Sequence, residues 1–190
     1  FVRIFIEENG EIWKGKKVFC LVTMGAFSGD GAGCAARLLE KKGAVILGGV
    51  HVKMPDSVCD NPLLKKSFEE NQQLVEKATE KIEKVALDIK RQVYPKEGLS
   101  FLTHVIGLFG QRLWFYHKTR AYNKKLNIHE NCNGCGICAQ NCPTQNLSLL
   151  DGKAVAGNQC TMCYRCISKC PQKAITLLGK KVVDQHTITR

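Results

Sequence analysis

CNGCGICAQNCP, residues 132–143, and CTMCYRCISKCP, residues 160–171, hold eight of the eleven cysteines in the 190-residue chain. A shift of 28 residues superimposes all eight and sets Pro143 on Pro171. The register continues beyond the prolines, where NLSLLDGK from Asn146 falls on AITLLGKK from Ala174. A self-similar period of this length is one structural unit used twice. Each half reads as a cysteine loop, a short helical turn after the proline and a short strand. Together they predict one small pseudo-symmetric domain from Lys125 to the end.

Cysteines separated by two residues make poor disulfide partners, and the opening FVRIFIEENG, with acids straight after its apolar residues, is not a secretion signal. The chain also opens without methionine, as expected of a fragment or a processed form. Thiolate ligands in a reducing cytoplasm fit the pattern better. Each repeat is C-x2-C-x2-C-x3-C-P. Three cysteines at spacing two wrap one face of a cubane, and the fourth points away to the other cluster. This assigns Cys132, Cys135, Cys138 and Cys170 to one [4Fe–4S] centre and Cys160, Cys163, Cys166 and Cys142 to a second. Pro143 and Pro171 bias the fourth cysteine of each set towards extended backbone angles. Gly134 and Gly136 let the first loop approach closely. Structural zinc held by four thiolates is the competing reading, but zinc motifs have no need of three cysteines at spacing two or of a crossed fourth ligand.

Residues 125–190 resemble a bacterial-type 2[4Fe–4S] ferredoxin over nearly their whole length. The second loop departs from that pattern, carrying Tyr164 and Arg165 where a glycine is usual. A cation there is expected to favour the reduced state. The formal charge is +11, and two oxidised clusters at about −2 each would bring it to about +7. Residues 1–125 hold 21 Lys+Arg against 14 Asp+Glu, and residues 126–190 hold 7 against 3. The cysteine-rich end is therefore close to neutral once clusters are counted, and the basic excess precedes it.

The front half alternates differently. KKVFCLVT (Lys16–Thr23) and AVILGGVHV (Ala44–Val52) are apolar runs typical of strands buried on both faces. GAGCAARLLEKKG predicts a helix from Gly31 to Lys42 that stops at Gly43. Ser67 to Glu70 has capping-box form and opens an amphipathic helix to Gln92. The order β–α–β–α predicts an α/β parallel sheet, with only two convincing strands. Cys20 and Cys34 read as small buried apolar residues and Cys59 as a more exposed one. Gly31-Ala-Gly33-Cys-Ala-Ala36 matches the dinucleotide fingerprint, but no acid ends the following strand, so glycines easing a helix start explain it better.

The stretch Lys16–Asp56 resembles the C-terminal part of a flavodoxin-like domain, and the whole chain is similar to flavodoxin–ferredoxin fusion proteins. The division is then 1–94 for an incomplete flavodoxin-like α/β module, 95–124 for an apolar and basic linker, and 125–190 for the ferredoxin domain. The resemblance implies FMN bordered by Thr23, Met24, Gly25, Phe27 and Ser28, with Phe27 or Met24 against the ring. The phosphate-binding loop of flavodoxins follows their first strand, and nothing upstream of Lys16 corresponds to it. Either a preceding segment supplies that anchor or the module no longer binds flavin.

RLWFYHKTR (Arg112–Arg120) reads as a segment packing the two parts together, in preference to a membrane-surface helix or a nucleic-acid contact. No nucleophile–base pair or acid–base dyad stands out. The sequence reads as a cytoplasmic electron carrier whose front module docks a redox partner of acidic surface, or a flavin. The alternative is an FMN-dependent oxidoreductase subunit with the clusters as an internal relay.

Overall fold

The computed structural model describes residues 2–113, 121–122 and 124–183. They fall into two compact units. One comprises the described residues up to Pro55 together with Glu69–Leu113, and the other comprises Asp56–Phe68 with the described residues after 113. The units are discontinuous in sequence, unlike the division at residues 94 and 124, which follows chain order. The thirteen-residue segment Asp56–Phe68 belongs with the cysteine-rich unit, and the described residues from 95 to 113 belong with the front one. Most of the RLWFYHKTR reading lies outside the described residues.

In the front unit, helix α1 (Val2–Glu8) precedes strand β1 (Lys17–Met24), helix α2 (Gly31–Glu40) and strand β2 (Val45–Lys53). β1 and β2 pair in parallel, Cys20 opposite Gly49 and Thr23 opposite Val52. A single parallel bridge joins Gly49 to Lys96 on the Pro95–Glu97 stretch. One apolar cluster joins α1 and α2 to the sheet through Ile6, Cys20, Ala32, Ala36, Leu39 and Ala44. A second packs Val50 and Val52 of β2 against Ala78 and Val85 of α3 (Phe68–Lys90). The result is helix, sheet and helix in layers, as a half-buried parallel pair requires.

β1 departs from the expected strand buried on both faces. Leu21 is 47% exposed, and Cys20 is the one fully buried residue of the strand. Among the described residues β1 has a neighbour on one edge only, whereas β2 lies between β1 and the Lys96 bridge. Two strands and one bridge make a small mixed α/β fold, which does not define a flavodoxin-like sheet. Gly33 of the fingerprint-like stretch packs where a Cβ would collide with the Gly98 carbonyl oxygen. Its glycine therefore serves a close approach within this unit. Cys34 is exposed, with Arg112 Nη1 donating to its sulfur at 3.4 Å, and Cys59 is buried, both contrary to expectation. Helix α4 (Phe101–Gly107) and the π-turn after it bring His104 and Arg112 to Asp30, which also binds Arg37.

In the cysteine-rich unit, strand β3 (Asn127–Ile128) pairs antiparallel with β6 (Ile175–Thr176). Strands β4 (Leu147–Leu150) and β5 (Lys153–Ala156) form a hairpin across Asp151-Gly152, both at positive φ as such tight turns require. Helices α5 (Ile137–Gln140) and α6 (Arg165–Lys169) each carry the third cysteine of a repeat. They lie before the prolines rather than after them, and each ends ahead of the fourth cysteine, where the following proline disfavours helical backbone angles. The core gathers Cys59, Cys138, Leu147, Tyr164, Ile167, Ile175 and Leu177. Among the described residues, no helix is long and apolar enough to cross a membrane.

Candidate metal centres

The two cysteine loops share a backbone that their sequences do not. Gly134 and Gly136 stand at φ 69° and 79°, and the residues 28 positions on, Met162 and Tyr164, take φ 55° and 59°. Gln145 and Lys173 repeat the same relation at φ 52° and 49°. Left-handed angles cost a residue with a Cβ about 1–2 kcal/mol, so the second loop holds its shape against local preference. At Gly134 the choice is forced, since a Cβ there would collide with the carbonyl oxygen of Gly152 in the β4–β5 turn.

Backbone donors converge on the sulfurs in the same two-fold pattern. Asn146 N–H donates to Cys142 Sγ at 3.2 Å, and its counterpart Ala174 N–H donates to Cys170 Sγ at 3.4 Å. Met162 N–H donates to Cys160 Sγ at 3.4 Å. Hydrogen bonds from the N–H groups of Ala154 and Gly134 hold the Cys132 thiol below its ordinary value. At Cys142 burial pushes upward, but the hydroxyl and N–H of Thr144 and the N–H groups of Asn146 and Leu147 outweigh it. Burial pushes Cys138 and Cys160 up and carries Cys166 to about 12. Metal binding at such thiols releases protons.

The sulfurs gather into two groups. Cys132, Cys135, Cys138 and Cys170 line one pocket, together with Gly134, Gly136, Leu149, Ala154 and Ile175. Cys142, Cys160, Cys163 and Cys166 line a second, with Asn146, Tyr164, Arg165 and Leu177. Each pocket thus takes three cysteines from one repeat and the fourth from the other. The electrostatic neighbours agree: Cys138 senses Cys132 and Cys170, and Cys166 senses Cys160, Cys163 and Cys142. Among the described residues, no three His, Cys, Asp or Glu side chains converge as ligands of one metal ion.

A sulfur-rich cofactor fits these walls. Asn146 Oδ1 accepts from Gln159 N–H at 2.6 Å, which directs Nδ2 the other way, and that buried donor has no partner among the described residues. Asn146 lines the second pocket, where a cluster sulfide would give Nδ2 an acceptor. In the flavin loop, Thr23 and Met24 end β1, Gly25 follows, Phe27 is 60% exposed, and Ser28 turns into α2, its carbonyl accepting from Gly31 N–H at 3.0 Å while its buried Oγ has no partner among the described residues. None of the five pockets described includes any of the five residues.

Sequence reasoning missed Asp60, which is 1% exposed and sits behind the second loop. Its Oδ1 accepts from the Tyr164 hydroxyl at 3.0 Å, and its Oδ2 accepts from the N–H groups of Leu177 and Leu178 at 2.5 and 2.9 Å. The one trace in the sequence is the mismatch of Tyr164 with Gly136 across the repeat.

The family of 4Fe–4S binding domains matches residues 128–148, a span that contains the first cysteine loop and Cys142. This region is a ferredoxin-like iron–sulfur part. Among curated proteins and among solved structures, none matches the chain.

Proposed function

We propose that the chain is an electron-transfer protein with two [4Fe–4S] clusters, one held by Cys132, Cys135, Cys138 and Cys170 and the other by Cys160, Cys163, Cys166 and Cys142. The grouping of four thiols around each pocket, one of them borrowed from the opposite repeat, carries the reading. The match of residues 128–148 to 4Fe–4S binding domains supports the choice of metal. When bound, such clusters accept and release single electrons. The residues hold the thiolates in place and aim N–H groups at sulfur, which together help set the potentials.

The partner presents an acidic surface in this reading. His129, Lys173, Lys180 and Lys181 line a pocket that shares Gln172 with the wall of the first thiol group. Exposed lysines beside a redox centre steer an anionic partner to it, and the effect weakens with salt. Work in a reducing cytoplasm suits the thiolate ligands.

Anaerobic reconstitution with iron and sulfide, followed by metal, sulfide and flavin assays, tests the proposal. The expected result is about eight irons and eight sulfides per chain, four of each per cubane, without flavin. Stoichiometric zinc with no iron overturns it, and stoichiometric FMN would make the protein a flavoenzyme subunit instead.

A further inference from the structure

We infer that Asp60 is a positioning residue for the second centre and that its charge holds that centre at a lower reduction potential than the first. The inference rests on the two-cluster reading. Asp60 arrives on the segment Asp56–Phe68, over 100 residues upstream of the loop it braces, and is built into the cysteine-rich unit. Its carboxylate is buried, and no described lysine or arginine forms an ion pair with it. Three donors satisfy it instead: the Tyr164 hydroxyl and the N–H groups of Leu177 and Leu178. Tyr164 and Leu177 are themselves wall residues of the second pocket. The carboxylate therefore sits one side chain behind that wall.

The asymmetry follows from the repeat. Gly136 occupies the position of Tyr164 in the first loop and has no side chain with which to reach such a brace. A buried anion near a redox centre disfavours an added electron, and burial keeps water and salt from screening it. Arg165 lines the same pocket and acts in the opposite sense, but it is exposed, so solvent weakens its effect. An electron would then enter at the second centre and pass to the first, which adjoins the lysine-lined pocket.

Voltammetry on the full reconstituted chain, with iron analysis on every variant, is the test. Asp60→Asn keeps the shape: the amide oxygen can accept from Leu177 and Leu178 while its nitrogen donates to Tyr164. It should move one of the two waves to higher potential and leave the other in place. Arg165→Gln should move that same wave down, which assigns it to the second centre. Tyr164→Phe keeps the charge but removes a donor from it, so the same wave should also fall. If Asp60→Asn does not hold a full complement of iron, the downward shift in Tyr164→Phe decides. Unmoved waves at full iron content overturn the inference and leave the two-cluster reading standing. So does a shift of the same sign in both brace variants, the mark of a merely structural disturbance. Failure of the parent chain to bind iron removes the reading and the inference together.

Discussion

Gly134 and Met162 occupy equivalent places in the two repeats and solve one backbone problem in different ways. At Gly134 both the positive φ and the packing against Gly152 exclude a side chain. Gly134→Ala should therefore displace the first loop, and iron content should fall from about eight to about four per chain, the complement of one cubane. Met162→Gly relieves about 1–2 kcal/mol of left-handed strain and adds about 0.5–1 kcal/mol of chain entropy to be lost. It should leave iron unchanged and thermal stability equal or slightly higher. Arg165→Gln belongs at the same scale. A cation on the wall of the second pocket favours the reduced state of a centre bound there, and its exposure to solvent weakens the effect, so the wave of the second centre should fall modestly in square-wave voltammetry. A change in the other wave, or in neither, would contradict this.

At the scale of elements, the Asp30 network ties α2 to α4 and the turn after it. Arg112 Nη2 donates to Asp30 Oδ2 at 3.2 Å, His104 Nδ1 lies 3.0 Å from the same oxygen, and Arg37 completes the set. Burial pushes the Asp30 carboxyl up, but His104, Arg37 and Arg112 outweigh it and hold it below its ordinary value. A carboxylate with a depressed folded-state value contributes stability above its unfolded value near 3.9 and loses it as pH falls through the folded one. Thermal melts of the parent chain should thus lose midpoint on acidification below about pH 4. Asp30→Asn should flatten that loss and cost about 2 kcal/mol at neutral pH, less than a fully buried pair, since both guanidinium side chains keep 34% of their surface in water. A melt with unchanged acid dependence in the variant would rule out this role.

The elements also differ in how plainly the sequence announces them. Both strands and the two long helices were legible from periodicity, because capping residues, glycine stops and apolar runs are local signals. The exposure of β1 was not. An apolar run of eight residues looks alike at an edge and at a centre, and only the pairing of β2 with Lys96 distinguishes them. The two sets of cysteines can be read from the sequence because ligand spacing is local and the 28-residue repeat supplies a complementary half to each. Asp60 was not, since a lone aspartate in a loop carries no period, and its partners lie more than 100 residues away.

For the whole molecule, the chain threads a piece of its front half into the cysteine-rich unit, so the two units are not separable at a single peptide bond. The brace at Asp60 would be lost in a fragment beginning at Lys125, and such a fragment would lack the charge that makes the two centres unequal. The central claim, however, concerns the eight thiols. Iron-edge anomalous scattering from crystals of the anaerobically reconstituted full chain tests it most directly. The account predicts two compact iron clusters, one ligated by Cys132, Cys135, Cys138 and Cys170 and the other by Cys160, Cys163, Cys166 and Cys142. A map in which Cys142 shares its metal with Cys132, Cys135 and Cys138, or in which single ions replace the clusters, would contradict it.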